Sequence, residues 1–379
     1  MDNGATTGQL GEAPAQSERS PQPEQSYFAS IYPGENATIP TDLAQAVRRL
    51  EQVCSEGAEM NTQVWMLIQP GKGENEARKG AYTDLNKRVR TAFFSQREKL
   101  SQDEQVVLLI DSSGGSAKAG YQLAMFFRHY CGRFVALVPR AAKSAATLLA
   151  IGADEIILGN SGELGPVDAQ VLEGNDYVPA LDRVKALERL HASALEAFDR
   201  TMALLTLRTE QDVDELVPIA ADFAARLSQP YMQKQDMVEY TRMSRVLKIG
   251  EDYASRLLYR QGEQKLNGSN DYRSARGNDQ PYLQQVKRAA EDALLEEELF
   301  SDYSDPSKRR ARLLAQHLVG AYPDHDFAID ADEAKRIGLQ VYEPSNSMVP
   351  AIDELYLILA ERVPEGLTAI GRVEETKSG

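Results

Sequence analysis

The residues best placed to do chemistry follow two short apolar runs of the chain. The first run, Gln105 to Ile110, ends in the turn sequence Asp111-Ser-Ser-Gly-Gly, where Gly114 and Gly115 leave backbone N–H groups uncovered by side chains. At a helix N-terminus such groups carry partial positive charge and can receive a carbonyl oxygen that becomes anionic. The pattern predicts an oxyanion hole, and an ordinary glycine turn is the alternative.

A serine follows the second apolar run. Phe134 to Val138 leads to Ser144, which opens the small-residue helix SAATLLAIG, so its hydroxyl and the N–H of Ala145 can face the point that the glycines face. A nucleophile beside an oxyanion hole indicates acyl-transfer chemistry. A serine in front of an apolar helix is also a common N-cap, which is the structural alternative.

Strand and helix patterns alternate around these residues. Apolar runs at 105–110, 134–138 and 155–158 are separated by helical stretches, and 63–69 predicts an earlier strand joined by a crossover helix at 84–99. This spacing predicts right-handed parallel crossovers, with functional loops at the carboxyl ends of the strands. We therefore expect an α/β fold built on a parallel sheet.

Four motifs in a fixed order resemble those of a known family. They are Asp111-Ser-Ser-Gly-Gly, Ala142-Lys-Ser-Ala-Ala-Thr-Leu, Gly152-Ala-Asp-Glu-Ile and Glu163-Leu-Gly-Pro-Val-Asp. The stretch is similar to the serine dehydrogenase proteinase family, whose Clp-type fold is shared with signal peptide peptidase A and the NfeD-type proteases. Tyr322-Pro-Asp-His-Asp-Phe and Asp332-Glu-Ala-Lys-Arg-Ile-Gly-Leu resemble the family's closing segment. The resemblance covers about 60–190 and 310–345, and it implies a Clp/crotonase-like core with an added helical arm.

The resemblance implies roles for several residues. It makes Ser144 the nucleophile, with the N–H groups of Gly114 and Ala145 as oxyanion donors. Clp itself places a His about twenty-five residues after its Ser, but no His occurs here between Ser144 and His191. The NfeD-type enzymes place a Lys about forty residues after the Ser, which is the position of Lys185.

A lysine acts as a base only when burial in an apolar pocket lowers its pKa, so that its amine is neutral. Lys185 lies near Leu181 and Val184, at the margin of an apolar helical stripe. We therefore expect a Ser144/Lys185 dyad, with an ordinary solvated helix lysine as the alternative. His191 lies six residues beyond Lys185, on a different helix face, so both side chains cannot point into one site.

Two further polar residues are candidates for lining the cleft or orienting the base. Asp168 follows Gly-Pro, and His325 lies between two aspartates that favour its charged form. A turn role for Asp168 and a polar loop role for His325 are the alternatives.

Composition restricts the partners and the compartment. Lys plus Arg number 42 against 57 for Asp plus Glu, a net charge of −15, which disfavours nucleic acid as a partner. Two cysteines, Cys54 and Cys131, form no disulfide framework, so a reducing cytoplasm is expected. No apolar stretch of about eighteen residues predicts a membrane span. No metal-ligand spacing is present, and we expect no cofactor.

The chain divides into four predicted regions. Residues 1–26 read as a disordered tail without a signal peptide, 27–178 as the catalytic core, 179–300 as a helical arm, and 301–379 as a segment returning to the core. Helical patterns at 179–207, 211–227, 236–247 and 251–260 follow a loop at 171–178, and 352–362 predicts a terminal helix. Helices in the arm's position commonly associate subunits in Clp-type folds, so we expect a homo-oligomer.

The expected function is that of a serine endopeptidase that cleaves peptides or proteins through an acyl-enzyme on Ser144. The chain shows no nucleotide-binding loop, so unfolding of large substrates would need a separate ATPase. Association with a membrane partner stays open. Two alternatives also stay open: an acyl-coenzyme A enzyme of the crotonase kind, and an inactive scaffold subunit in which Ser144 is only a cap.

Overall fold

A six-strand path forms the centre of the molecule. The computed structural model describes residues 26–56, 58–71, 80–168, 170–173, 176–268 and 306–375. Along the path the order is β10-β6-β4-β3-β2-β11, parallel except for β11, which pairs antiparallel with β2. Its strands are β2 (Asn61–Gln69), β3 (Glu104–Ser112), β4 (Arg133–Val138), β6 (Glu155–Leu158), β10 (Val341–Tyr342) and β11 (Ala369–Gly371).

Both faces of the sheet are covered, as continuous apolar strands require. Along β3, Val106, Leu108 and Ile110 join one core, whereas Val107 and Leu109 join the other. This alternation follows from the two-residue period of a strand. The helices are α1 (Thr41–Ser55), α2 (Lys87–Ser95), α3 (Ala117–Tyr130), α4 (Ala145–Ala150), α5 (Ala180–Arg208), α6 (Val213–Met232), α7 (Met237–Gly268), α8 (Pro306–Gly320), α9 (Ala331–Ile337) and α10 (Val349–Arg362).

The helices divide between the two faces. Residues of α2, α3, α4, α7 and α8 pack in the core that contains Trp65 and Phe127. Those of α1 and α10 pack in the core that contains Met66 and Leu355. Helices α5 and α6 pack on each other, and only Ala180 and Leu187 of α5 are buried.

Short strands extend the sheet at the carboxyl end of β3. Strand β5 (Ala141–Ala142) pairs in parallel with β3 and with β7 (Glu163–Leu164), so Ala142 lies between Ser112 and Leu164. Further short pairs are β8 (Gln170–Glu173) with β9 (Asp176–Pro179), and β1 (Tyr27–Ala29) with β12 (Val373–Glu375). The β5 pairing brings the chain before Ser144 against the end of β3.

The expected α/β fold with a parallel-sheet core is confirmed, and the differences lie in connections. The predicted loop at 171–178 is largely the β8–β9 hairpin, and the helices predicted at 236–247 and 251–260 are one helix, α7. The helix at 84–99 is shorter, with a separate 3-10 turn at Arg97–Lys99. Strands β11 and β12 follow the helix that was predicted to be last. The predicted tail falls almost wholly outside the described residues.

Within the described ranges, none of the helices combines the length and apolar character needed to cross a bilayer.

Candidate active site

Ser144 has an unusual backbone conformation. Its φ is 51° and its ψ is −114°, which makes it the one non-glycine residue with positive φ among those described. Such a conformation costs about 1–3 kcal/mol and persists when the surrounding structure enforces it. Ser144 precedes α4, but its side chain makes no capping hydrogen bond. The alternative role of this serine, as a side-chain N-cap, is therefore not observed.

The glycine turn after β3 packs tightly against Ser144. Gly114 has φ 96°, and a Cβ added there would lie 2.5 Å from the oxygen of Lys143 and 2.9 Å from the nitrogen of Ala145. Gly115 has φ 140°, and a Cβ there would lie 2.4 Å from the oxygen of Leu85. Only glycine fits both positions. Because Gly114 approaches Lys143 and Ala145 this closely, the turn lies in direct contact with the start of α4.

The Gly114 N–H is already used inside the protein. It donates to Ser112 Oγ over 3.1 Å, and Ser112 Oγ donates to Gln69 Oε1 over 2.9 Å. Gln69 in turn donates to the oxygen of Tyr82 over 2.7 Å. Among the residues that the structure describes, no hydrogen-bond acceptor is found for the N–H of Gly115 or of Ala145. Of these three N–H groups, those of Gly115 and Ala145 are therefore not taken up by another described residue.

Asp168 lies beside Ser144 and is buried. Its backbone oxygen lies 3.4 Å from Ser144 Oγ. The segment before Asp168 is fixed by Thr147, whose hydroxyl lies 2.7 Å from the oxygen of Ala142 and 2.9 Å from that of Gly165. A hydroxyl on α4 therefore holds the chain that carries Asp168 next to the chain that carries Ser144.

His325 enters the site on the loop 322–329, which we name the His loop. Two backbone hydrogen bonds of 2.9 Å join Ile329 to Leu164, so the loop lies beside β7. Inside the loop, Tyr322 stacks on Phe327 with ring centroids 4.7 Å apart. The Tyr322 hydroxyl also bonds Glu333 over 3.0 Å. The closing segment predicted from sequence thus returns to the Ser144 end of the sheet.

The His loop brings His325 to Asp168. The imidazole Nδ1 bonds the carboxylate Oδ1 of Asp168. Burial lowers the pKa of His325, but the hydrogen bond and charge of Asp168, with the charges of Asp326 and Asp324, outweigh it, so the pKa lies above the ordinary value of 6.5. A carboxylate paired with one imidazole nitrogen leaves the other nitrogen to accept a proton.

Lys185 is placed differently. It is exposed on α5, and its Nζ donates to the oxygen of Gly320, the last residue of α8, over 2.6 Å. A cation at this end of a helix is favourable because the final carbonyl groups carry partial negative charge. Among the hydrogen bonds of the described residues, none joins Lys185 to Ser144. His191, also on α5, is exposed as well.

A buried ion pair supports the same end of the sheet. Asp111 is 0% exposed and accepts two hydrogen bonds of 2.8 Å from the guanidinium of Arg140. Burial raises the pKa of Asp111, and the bonds and charge of Arg140 oppose that effect. The pair ties the end of β3 to the loop that leads into Ser144.

Comparison with known protein families gives a match over part of the chain. Residues 94–223 match the family of ClpP-like SDH-type serine proteinases. The match covers about a third of the chain, and it includes the glycine turn, Ser144, Asp168 and Lys185 but not His325. The resemblance to the serine dehydrogenase proteinase family is confirmed over this segment.

Two uncharacterised proteins of Methanocaldococcus jannaschii are similar to part of the chain. One is 35% identical over 103 residues, 27% of this chain and 34% of its own length. The other is 34% identical over 106 residues, 28% of this chain and 34% of its own length. The chain thus spans about a third of the length of these relatives.

One solved structure, a mutant of the 1510-N membrane-bound stomatin-specific protease, is 15% identical over 44% of this chain and 70% of its own. Its TM-score is 0.26.

The sequence did not predict that Asp168 and His325 contact each other, although each was a candidate by itself. One signal was present: Asp168 lies 24 residues after Ser144, close to the place where Clp carries its His. An acidic residue at that place is a signal that Asp168 pairs with a basic side chain from another part of the chain.

Proposed function

We propose that this protein is a serine peptidase that uses Ser144 as its nucleophile and His325, paired with Asp168, as its general base. The observation that carries the proposal is the convergence of these residues from three separate segments. The Ser144 hydroxyl caps no helix and lies 3.4 Å from the backbone oxygen of Asp168. The side-chain carboxylate of the same Asp168 bonds His325. The family match over 94–223 supports the reaction class.

In the first step His325 takes the proton of the Ser144 hydroxyl while Oγ attacks the peptide carbonyl carbon. Because Nδ1 is bonded to Asp168, Nε2 is the nitrogen that accepts this proton. The resulting imidazolium is stabilised by the buried carboxylate, and it then gives the proton to the leaving amine. Water releases the acyl group from Ser144 by the same proton transfers in reverse order.

The oxyanion of the tetrahedral intermediate would be bound by the N–H groups of Gly115 and Ala145. The resemblance pointed to Gly114 and Ala145, but the Gly114 N–H donates to Ser112 Oγ. Gly115 comes next in the same turn and has its N–H available. Backbone donors fixed in place before the reaction stabilise developing charge without reorganisation.

The Ser144/Lys185 dyad is the alternative for the base. It requires a neutral amine, which burial in an apolar pocket produces. Lys185 is exposed and bonded to a helix carbonyl group, so this support is missing. His325 is partly buried and paired with a carboxylate, which is the better setting for proton transfer at Ser144.

The experiment is intact-mass analysis after exposure to a fluorophosphonate probe. We expect one adduct on the wild type, none on Ser144→Ala, strongly slowed labelling of His325→Ala, and labelling of Lys185→Ala at the wild-type rate. Labelling lost in Lys185→Ala but kept in His325→Ala would favour the dyad. An unlabelled wild type would contradict the peptidase proposal and make coenzyme A binding the next test.

A further inference from the structure

Lys143, the residue before Ser144, has a largely buried charged side chain. Its side chain is only 14% exposed, and its Nζ lies 2.5 Å from Oε1 of Glu163. The same Nζ lies 3.4 Å from the carbonyl oxygens of both Asp326 and Phe327. These two carbonyl groups directly follow His325 in the His loop.

The stem of Lys143 also touches the segment that carries Asp168. A Cβ added to Gly165 would lie 2.5 Å from Lys143 Cδ and 3.3 Å from its Cα. Gly165 is three residues before Asp168, and its lack of a side chain lets the lysine stem cross its backbone. The alkyl part of the Lys143 side chain therefore lies against the segment that carries Asp168, and its ammonium group lies against the His loop.

Lys143 thus contacts all three segments that form the site. It adjoins Ser144 in the chain, crosses the backbone leading to Asp168, and bonds the loop of His325. An ammonium group has three N–H donors and no acceptor, which suits a carboxylate and two carbonyl oxygens. The partner carboxylate, Glu163, precedes Leu164, which itself pairs with the His loop through Ile329.

We propose that Lys143 is a positioning residue that holds the His loop against Ser144 and Asp168. The inference rests on the proposed function, because its effect on catalysis is exerted through His325. A displacement of about 1 Å at a reacting group can cost about 10²-fold in rate. Without the ammonium, the His loop loses two of its ties to the Ser144 segment while its own stacking and its bridge to β7 remain.

The test compares Lys143→Met with Lys143→Arg and Glu163→Gln in the full chain. Methionine keeps the stem and removes the donors, whereas arginine keeps a cation. The rate of fluorophosphonate labelling is measured against probe concentration, which separates the maximal rate from the probe's dissociation constant. We expect Lys143→Met to lower the maximal rate about 10²-fold with the dissociation constant unchanged, and Lys143→Arg to restore much of it.

The matched control is Lys99→Met, which breaks an ion pair with Glu374 of 2.7 Å elsewhere on the surface. It should label at the wild-type rate. If Lys143→Met labels like the wild type, or if Lys99→Met falls as far, the positioning role is overturned. If Lys143→Met does not fold, Lys143→Gln decides, because it removes the ammonium and keeps part of the alkyl chain, and unchanged labelling there overturns the role. Glu163→Gln keeps both contacts of the ammonium with the His loop and should label nearly as fast as the wild type.

Hydrogen exchange gives a readout that does not depend on activity. The amide of Phe327 donates to the oxygen of Asp324 within the His loop, and the amide of Ile329 donates to the oxygen of Leu164 on β7. We expect both to exchange faster in Lys143→Met than in Lys99→Met. Equal exchange in the two variants would overturn the positioning role of Lys143 even if Ser144 is labelled. Faster exchange in a protein whose Ser144 never reacts would support that role and contradict the proposed peptidase function.

Discussion

The strand-end site and the helical arm of α5 and α6 place their apolar residues in opposite ways. Beneath Ser144, the side chains of Ala142, Ala145 and Leu164 are buried, and every segment is tied to its neighbours by backbone or side-chain bonds. On α6, four apolar residues at four-residue intervals form one stripe with about half of each side chain exposed: Ile219 49%, Phe223 51%, Leu227 53% and Tyr231 61%. Residues from one chain form the contacts of the strand-end site, whereas none of the residues that the structure describes covers this apolar stripe on the arm.

The two regions also differ in what they offer as a base. The strand-end site contains a histidine held by a carboxylate, and the arm carries an exposed lysine bonded to a helix end. Proton transfer depends on position first and on pKa second. The difference suggests that chemistry belongs to the first region and assembly to the second, and the following experiments can break that division.

The largest effect is expected from His325→Ala. Loss of a general base costs about 10²–10⁴-fold in rate, so kcat/KM for a fluorogenic peptide should fall by this amount. The matched variant is Lys185→Ala, which removes a helix-end contact worth about 0.3–1 kcal/mol and should leave kcat/KM near the wild-type value. A larger fall in kcat/KM for Lys185→Ala than for His325→Ala would assign the base to Lys185 on the arm.

Asp168→Asn is expected to reduce activity less, since the imidazole remains, and to move its pH dependence. The base must be neutral, so kcat/KM should rise with pH through the pKa of His325, which lies above 6.5. Without the Asp168 carboxylate, burial lowers that pKa with only Asp324 and Asp326 opposing it. The acidic limb of the pH profile should therefore shift to lower pH, and an unmoved limb would mean that another group titrates.

Gly114→Ala should lower both activity and stability. The φ of Gly114 is 96°, and an alanine in that conformation costs about 1–3 kcal/mol in backbone strain. The added Cβ would also lie 2.9 Å from the nitrogen of Ala145, so it displaces the Ala145 N–H. Disturbing one oxyanion donor costs about 10²–10³-fold in kcat. Gly34→Ala is the control, because Gly34 has φ 71° but no atom within 4 Å of an added Cβ; equal activity losses would assign the effect to strain alone.

The smallest effect on activity is expected from substitutions on the arm. We propose that the α6 stripe packs on a second copy of the chain, because an exposed apolar stripe of this kind is typical of an association surface. Ile219→Ser with Phe223→Ser should lower the molar mass measured by light scattering while kcat/KM changes little. Asp214→Ser on the same helix is the control. A wild type that is monomeric at micromolar concentration would contradict this proposal.

The sheet and the positions of Ser144 and the glycine turn at strand ends could be predicted from sequence because their signals are local. Strand β6 begins and ends as its apolar run predicts, and Ser144 and the glycine turn follow strand ends. The contact of Asp168 with His325 spans 157 residues, and neither residue lies in a periodic pattern that marks a partner. Lys185 was favoured by spacing in relatives, but spacing does not report exposure, which depends on how α5 packs.

This long separation between Asp168 and His325 also has a consequence during synthesis. Ser144, the glycine turn and Asp168 leave the ribosome well before His325, and at about 5–20 residues per second the delay is on the order of 10–30 s. The Asp168–His325 contact cannot form in that interval. A nascent chain therefore carries its serine without a paired histidine until almost all of the fold has been made.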